Sequence, residues 1–412
     1  MEKTKRPLRV AFFGHFGGGN FGNESTLQTV LYHYGRMAHG MEATCICSGP
    51  KQVAADYHVM AVDISGVVIK PWRFRNTVAR TVRKIVVGVP CEIYRWFRGI
   101  KTLKGIDALI IPGTGLLTDA FGPVGWGPYG TFKWSVLAKL CRCKLLFVSV
   151  GAGPLYSATS RFLVRFSLWL ADFRSYRDES TKKCLEGIGF RTDRDAVYPD
   201  LVFSLPHTLI PVGCNKKRQR PVVGLGVMQY AGRYSADGPC DAVYQSYLQN
   251  LVTFVRWLLA HEYDIRLLIG DVADVVVTKE FKELLKSRIG RYDEGRIIDE
   301  PVESLPGLLS QLQAVDFVVA TRFHNVLLAL LVNKPVIAIS FHHKCVSLMR
   351  SMGLLEYCQD ISELNVDRLV EQFNQLERNS AEVKSQITQR TAECRQALAS
   401  QYERILAECR SV

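Results

Sequence analysis

The turn formed by residues 321–325 brings together side chains that suit the binding of an anion. It contains Arg322 and His324, and it follows an apolar run that predicts a strand and precedes one that predicts a helix. Lys344 comes just after the next predicted strand, residues 335–340. The short helical connection between the two predicted strands requires them to be parallel. All three side chains therefore lie just beyond the carboxyl ends of these strands, where open α/β sheets bind ligands. Two fixed cations, an imidazole and the free N–H groups of a helix start therefore predict an anion site.

A structural role for this turn stays open. Arg322 and His324 would serve the fold alone if they capped the helix or paired with nearby carboxylates. Arg177 also follows a predicted strand, at residues 173–177, and is expected to face the ligand unless it forms a surface ion pair.

Three further turns are rich in glycine and follow predicted strands. They cover residues 14–22, 112–119 and 151–154. The first fits neither a dinucleotide-binding nor a Walker pattern, so a ligand loop and a tight turn remain equal alternatives for it. Asn23 is a suitable N-cap for the helix that follows. The residues of these turns that we expect to contact a substrate are Gly18, Gly19, Asn20, Glu24, Gly115, Asp119 and Gly151.

The elements around these turns alternate between strand and helix, which predicts α/β domains with mostly parallel strands. We predict a first domain over residues 1–205, a linker over 206–221 that is rich in Pro, Lys and Arg, and a second domain over 222–365. A helical segment over 366–412 completes the chain. Two α/β halves of this kind suggest a bilobed enzyme with a cleft.

The 412 residues carry 52 Lys and Arg against 39 Asp and Glu, a formal charge of +13, and 48% of the residues are hydrophobic. This apolar content excludes a disordered chain, and the charge indicates acidic partners. The twelve cysteines lack the spacing of a zinc site, so no metal is predicted. No secretory signal and no apolar run long enough to span a membrane is evident, which predicts a cytoplasmic protein.

Taken in order, these motifs resemble those of the polysaccharide pyruvyl transferases, enzymes of bacterial cell-surface polymer assembly. The similar segments are residues 17–24, 113–119, 151–154, 177–180 and 322–324, with Lys344 about twenty residues beyond. The resemblance implies two Rossmann-like domains facing a cleft, as in the GT-B glycosyltransferases, with a C-terminal helix that packs back across the lobes.

The same resemblance implies an activity and its residues. The enzyme would transfer pyruvate from phosphoenolpyruvate to a sugar of a surface polysaccharide or its lipid-linked precursor, forming a ketal and using no cofactor. His324 would act as general acid, and Arg322 and Lys344 would assist catalysis. The anionic donor would be bound by Arg177, Arg322, Lys344 and Asn325. Departures from the family pattern are Asn23 in place of Asp, Phe323 in place of Leu, and Asn325 in place of a small residue.

Residues 71–104 hold nine Lys or Arg against Glu92 alone, with five interleaved Trp, Tyr or Phe side chains. This composition predicts peripheral contact with the inner face of an anionic cytoplasmic membrane, although a solvated helical face is an alternative. No nucleic-acid motif accompanies the segment, so nucleic acid is not a predicted partner. The oligomeric state does not follow from the sequence.

Two other functions remain open at this point. One is a glycosyltransferase that uses a nucleotide-sugar donor, because a diphosphate also requires Arg and Lys. The other is a scaffold without catalytic activity that tethers an assembly complex to the membrane.

Overall fold

Two separate parallel β-sheets organise the chain. In this computed structural model, the residues described are 6–37, 40–64, 84–113, 115–119, 127–211, 219–230, 241–289 and 293–410. The first sheet has the strand order β3-β2-β1-β4-β5-β6-β7 and the second the order β10-β9-β8-β11-β12-β13. All strand pairs are parallel. The predicted α/β class with two Rossmann-like domains is confirmed.

The strands are short apolar runs, which suits sheets whose two faces are both covered by helices. Those of the first sheet are β1 (Arg9–Gly14), β2 (Glu42–Cys47), β3 (Met60–Asp63), β4 (Ala108–Pro112), β5 (Lys144–Val150), β6 (Phe173–Tyr176) and β7 (Ala196–Val197). Those of the second are β8 (Val222–Gly226), β9 (Asp264–Leu268), β10 (Ile297–Ile298), β11 (Phe317–Ala320), β12 (Val336–Ser340) and β13 (Cys358–Asp360).

The α-helices of the described residues connect these strands or follow them. They are α1 (Phe21–Met37), α2 (Pro50–Tyr57), α3 (Val89–Leu103), α4 (Pro128–Leu140), α5 (Ala158–Leu170), α6 (Glu179–Gly187), α7 (Asp241–Ala260), α8 (Asp274–Ile289), α9 (Leu305–Gln313), α10 (Phe323–Leu331), α11 (His343–Ser351), α12 (Val366–Arg378) and α13 (Ser380–Arg410). A π-helical turn, Lys84–Gly88, precedes α3.

The chain divides into two compact units whose boundaries differ from the predicted domains. The first unit comprises Met1–Gly18, Thr26–Leu201 and Ala399–Val412, and the second comprises Gly19–Ser25 and Val202–Leu398. The glycine turn at the start of α1 therefore contributes residues to the second unit. The helix α13 contributes to both units. Of the predicted linker 206–221, residues 212–218 lie outside the described residues.

The order of each sheet reverses at one place. In the first sheet this place lies between β1 and β4, and in the second it lies between β8 and β11. At such a switch point the loops after neighbouring strands run in opposite directions, which leaves a crevice at the carboxyl ends that suits a ligand. The segment that follows β11 is the one the sequence singles out.

Candidate functional site

His324 lies in the first turn of α10, directly beyond the switch point of the second sheet. Its imidazole packs against the backbone of Gly22, which belongs to the same compact unit. A Cβ atom placed on Gly22 would lie 1.9 Å from Nδ1 and 2.0 Å from Cγ of His324. Only glycine at position 22 therefore leaves room for the imidazole where it stands.

Asn20 fixes the turn that carries Gly22. Its Oδ1 accepts a hydrogen bond from the backbone N–H of Asn23 at 3.1 Å, and its Nδ2 donates to Oδ2 of Asp271 at 2.7 Å. The helix begins at Phe21, so Asn20 is the residue that caps it. The sequence interpretation of Asn23 as the N-cap is wrong, because Asn23 already lies inside the first turn.

Arg322 forms a bidentate ion pair with a carboxylate that is far away in sequence. Its Nε and Nη2 donate to Asp274 at 2.9 Å and 2.6 Å, and the Asp274 side chain is fully buried. Burial raises the pKa of Asp274 above its ordinary value, although the guanidinium acts in the opposite direction. Arg322 therefore pairs with a carboxylate, which was the structural role left open by the sequence. This ion pair holds its side chain in place at the N-cap position of α10.

We expect Arg322→Met to lower the free energy of unfolding by about 3 kcal/mol, because it leaves the Asp274 carboxylate buried and without this cation. The pKa of Asp274 is higher in the folded state than in the unfolded state, so ionisation of this carboxyl opposes folding. The loss of stability caused by its charge therefore grows as the pH rises through the folded-state pKa. Loss of Arg322 raises that pKa further. The deficit of the variant, measured by denaturant unfolding, should therefore be larger at pH 8 than at pH 5.

The matched control is the double variant Arg322→Met/Asp274→Asn, which removes both charges and keeps a polar side chain at position 274. It should recover most of the lost stability. A double variant as unstable as the single one, or a deficit that is the same at both pH values, would contradict the importance of the buried charge.

Lys344 lies at the start of the helix that follows β12. It belongs to the first turn of α11, whose N-cap residue His342 accepts a hydrogen bond from the backbone N–H of Lys344 at 3.4 Å. The following residue, Cys345, contacts the carbonyl oxygen of Thr321 through its Sγ at 3.9 Å. The strands β11 and β12 are parallel neighbours. The structure therefore places Arg322, His324 and Lys344 at the starts of two neighbouring helices, beyond the carboxyl ends of β11 and β12.

Asn325 is a predicted donor-binding residue that lies inside the fold. Its side chain is fully buried, and neither amide atom has a hydrogen-bond partner among the described residues. It contacts the backbone of Gly226 and Gly270, where an added Cβ would come within 2.8 Å and 2.5 Å of its amide atoms. Asn325 in this position packs beneath the site.

In the first unit, Arg177 is buried and paired. Its Nη1 lies 3.2 Å from Oδ2 of Asp200, and its Nε lies 3.7 Å from Oδ2 of Asp178. Burial would raise the pKa of Asp178, but Arg177 and hydrogen bonds from Ser180 and Thr181 hold it below its ordinary value. Gly151 is needed here, because a Cβ on it would lie 2.6 Å from Nη2 of Arg177.

The predicted acceptor residues of the first unit form a connected loop structure. Asp119 accepts hydrogen bonds from the backbone N–H groups of Tyr156 at 3.0 Å and Ser157 at 2.8 Å, just before α5 begins. The stretch after Gly115 pairs with the stretch after Gly151 through a bridge between Leu117 and Ala152. Asp119 thus stabilises the two glycine loops against each other.

The first glycine turn requires backbone freedom at two positions. Gly17 and Gly19 have positive φ angles of 73° and 80°. A Cβ on Gly17 would lie 2.3 Å from the carbonyl oxygen of Gly49, whereas Gly18 has only Oγ of Ser48 nearby, at 3.6 Å. In the same turn, burial lowers the pKa of His15 to about 2, so this imidazole is neutral under ordinary conditions.

Three functional neighbours were not found from the sequence: Asp271 and Asp274, which follow β9, and Asp200, which pairs with Arg177. The first two lie in the segment between the end of β9 at Leu268 and the first residue of α8, Asp274, a region that the strand-end rule also covers. Asp200 follows β7, a strand of two residues that gives no apolar run.

Neither a metal cluster nor a spanning helix occurs in the part of the chain that the structure describes. No group of three or more His, Cys, Asp or Glu side chains is placed there to hold a metal ion. None of the described helices combines the length and the apolar character needed to cross a bilayer.

The family model for polysaccharide pyruvyl transferases matches residues 63–343, well over half of the chain. The chain belongs to the polysaccharide pyruvyl transferase family. Among curated relatives, the amylovoran biosynthesis protein AmsJ of Erwinia amylovora is 19% identical over 326 residues, which cover 74% of this chain and 71% of AmsJ. The family and this relative indicate a transferase of polysaccharide biosynthesis.

Solved structures with the same fold include sugar-nucleotide enzymes of low sequence identity. Anabaena HepE in complex with UDP has a TM-score of 0.60 at 13% identity, with 98% of this chain and 100% of that one covered. A putative UDP-N-acetylglucosamine 2-epimerase from Listeria monocytogenes has a TM-score of 0.59 at 11% identity, with 97% of each chain covered. A glycosyltransferase from Rickettsia africae has a TM-score of 0.57 at 10% identity, with 97% of this chain and 99% of that one covered. The fold of this transferase is therefore GT-B-like.

Proposed function

We propose that the protein transfers the pyruvate group of phosphoenolpyruvate to a sugar of a cell-surface polysaccharide, or of its lipid-linked precursor, and forms a cyclic ketal. The observation that carries this proposal is the placement of His324, Arg322 and Lys344 at the starts of α10 and α11, beside the switch point of the second sheet. The family match supports the choice of reaction. A carboxylate and a phosphate on one small donor suit a site of this charge.

In the proposed reaction His324 donates a proton to the methylene carbon of the donor, and the electrons of the carbon–carbon double bond form the new C–H bond. Positive charge develops at C2, and a sugar hydroxyl adds there as it loses its proton. The C2–O bond to phosphate then breaks and phosphate leaves with the bonding electrons. A second hydroxyl of the sugar adds to C2 and loses its proton, which closes the ketal.

The remaining groups bind and stabilise charge. Lys344 stabilises the departing phosphate, since a fixed cation acts where negative charge develops. Asp274 holds Arg322 in one orientation toward the same loop edge, which limits the motion of the guanidinium. Arg177 of the first unit is proposed as a further substrate-binding residue, with Asp200 and Asp178 holding its guanidinium. No resident cofactor takes part in this scheme.

A nucleotide-sugar glycosyltransferase is the second candidate. It is favoured by the fold, because structures of this architecture such as Anabaena HepE and S. aureus MnaA are complexes with UDP. The diphosphate of such a donor would also bind to Arg322 and Lys344.

Thermal unfolding distinguishes the two donors. Phosphoenolpyruvate should raise the unfolding temperature, since a ligand at one hundred times its Kd stabilises the native state by about 2.7 kcal/mol. UDP-glucose should leave the temperature unchanged, and inorganic phosphate at equal concentration controls for general anion binding. Stabilisation by UDP-glucose without stabilisation by phosphoenolpyruvate would favour the second candidate.

A further inference from the structure

Helices α3, α4 and α5 form one layer on a single side of the first sheet. The chain moves in the same direction across the sheet from β3 to β6, so right-handed crossovers place the connecting helices on the same side. Gly99 of α3 packs on Leu137 of α4, where a Cβ would lie 2.5 Å from the Leu137 Cδ1. Phe132 of α4 and Phe166 of α5 pack with their ring centroids 5.5 Å apart. The outer surface of the layer is therefore continuous.

Helix α3 packs Leu103 and Trp96 into the core of the first unit and, unlike an ordinary surface helix, also exposes apolar side chains. Its outward stripe is apolar and comprises the exposed side chains Val89, Ile93, Phe97 and Ile100. Its polar residue Glu92 is instead turned toward α4, where it accepts hydrogen bonds from Lys133 at 3.1 Å and from Tyr129 at 2.9 Å. Phe97 is 67% exposed. A helix of this kind presents its apolar face to something outside the chain.

The exposed apolar surface continues onto the neighbouring helices. Leu140 at the end of α4 and Phe162 on α5 are exposed, and Trp169 of α5 is 70% exposed. Phe166 packs between Phe162 and Trp169, with ring centroids 6.0 Å and 5.6 Å away. Such a surface is larger than the isolated exposed side chains of a typical monomer and marks an interaction site.

The charges on the same layer have one sign. The three helices contain seven Lys or Arg residues and a single acidic residue, Glu92, which is engaged inside the layer. Arg98 and Lys101 flank the apolar stripe of α3, and Arg161 and Arg165 flank that of α5, all four exposed. Apolar side chains surrounded by cations complement a partner that has an apolar interior and an anionic outer surface.

From this geometry we infer that the outer face of α3, α4 and α5 binds the surface of an anionic phospholipid membrane. The exposed apolar side chains enter the boundary between headgroups and acyl chains, while Arg98, Lys101 and Arg165 contact lipid phosphates. A second copy of this chain is disfavoured as the occupant, because a symmetric contact would bring cations against cations. Nucleic acid is disfavoured because three of the four side chains in the exposed stripe of α3, Val89, Ile93 and Ile100, are aliphatic and provide no ring for base stacking.

This inference goes beyond the proposed reaction and does not rest on it. It extends the segment predicted from the sequence, residues 71–104, of which 84–104 are described and Arg73, Arg75, Arg80 and Arg83 lie outside the described residues. The structure adds α5, whose composition alone did not suggest a membrane contact.

The test is sedimentation of the full-length protein with vesicles of phosphatidylcholine, alone or mixed with phosphatidylglycerol. We expect binding to the mixed vesicles, release by high salt, and little binding to phosphatidylcholine alone. Phe97→Ser/Trp169→Ser and Arg98→Glu/Lys101→Glu should each weaken partitioning at least about tenfold. Matched controls on the second unit, Val276→Ser and Lys384→Glu, change exposed residues of the same kinds and should bind like the wild type.

Several outcomes would overturn the inference. One is failure of the wild type to bind mixed vesicles, and another is binding by both double variants that equals that of the wild type. A third is a switch from dimer to monomer in those variants without any change in vesicle binding. Binding of single-stranded RNA that is lost in the same variants, in the absence of vesicle binding, would assign the face to nucleic acid. Because the substituted side chains are exposed, the unfolding temperature and the turnover of a water-soluble acceptor should not change, which separates this test from that of the reaction.

Discussion

Replacing His324 with glutamine should lower kcat for phosphate release from phosphoenolpyruvate, in the presence of acceptor, by about 10²- to 10⁴-fold. Glutamine keeps hydrogen-bonding capacity at the start of α10 but has no proton of suitable acidity to donate to carbon. The donor-dependent rise in unfolding temperature should persist, because Arg322 and Lys344 remain. Phosphate release, followed at saturating donor, is the measurement.

The control for this change is His207→Gln, which alters an exposed histidine of the second unit. Its turnover should match that of the wild type. A folded His324→Gln protein whose kcat is within threefold of the wild type would remove His324 from the role of general acid, whatever the identity of the donor.

Adding a single methyl group at Gly22 should also abolish most of the activity. The new Cβ would overlap the imidazole of His324, at 1.9 Å from Nδ1, so either the ring or the first turn of α1 must move. A shift of about 1 Å in a catalytic group is enough to cost about 10²-fold in rate. We therefore expect Gly22→Ala to lower kcat by roughly that factor in the same phosphate-release assay.

The same helix provides the matched control. Gly35 also lies in α1, and a Cβ there has no atom within 4 Å. Gly35→Ala should leave kcat unchanged and stabilise the protein by up to about 1 kcal/mol, because alanine is the better helix former. If Gly22 acts through the imidazole, Gly22→Ala should have little further effect on kcat in the His324→Gln background. Full activity of Gly22→Ala, or additive losses in the double variant, would contradict this coupling.

Much of the fold could be predicted because its strands are buried apolar runs. The predicted strands at residues 173–177 and 335–340 lie within one residue of the observed strands Phe173–Tyr176 and Val336–Ser340. The strands β7 and β13 were missed. They contain two and three residues, and β13 reads Cys358-Gln359-Asp360, which has no apolar periodicity. These two strands form because they pair with a neighbouring strand, whereas their own sequences show no preference for a strand.

The positions of the site residues were predictable, but their partners were not. The strand-end rule predicts Arg322, His324 and Lys344 beyond the carboxyl ends of two parallel strands, and the structure has them just after β11 and β12. The pairing of Arg322 with Asp274 joins residues 48 positions apart, and no sequence pattern encodes it. The contact of His324 with Gly22 joins still more distant segments. Such contacts depend on tertiary packing, which also explains the burial of Asn325.

In the basic segment, residues 71–104, the composition follows from the sequence, but the orientation of the side chains does not. Composition identified an unusual density of cations and aromatic rings in residues 71–104. It did not reveal that Glu92 is turned toward α4 and that Phe97 is exposed. That orientation is what turns a solvated basic helix into a candidate membrane surface.

Mass spectrometry of the acceptor tests pyruvyl transfer most directly. The wild-type protein is incubated with a panel of oligosaccharides and either phosphoenolpyruvate or UDP-glucose. We predict that an acceptor gains about 70 Da from phosphoenolpyruvate, the increment of a pyruvate ketal, with one phosphate released for each product and no gain in the His324→Gln control. An acceptor that gains about 162 Da from UDP-glucose, and nothing from phosphoenolpyruvate, would contradict the proposed reaction.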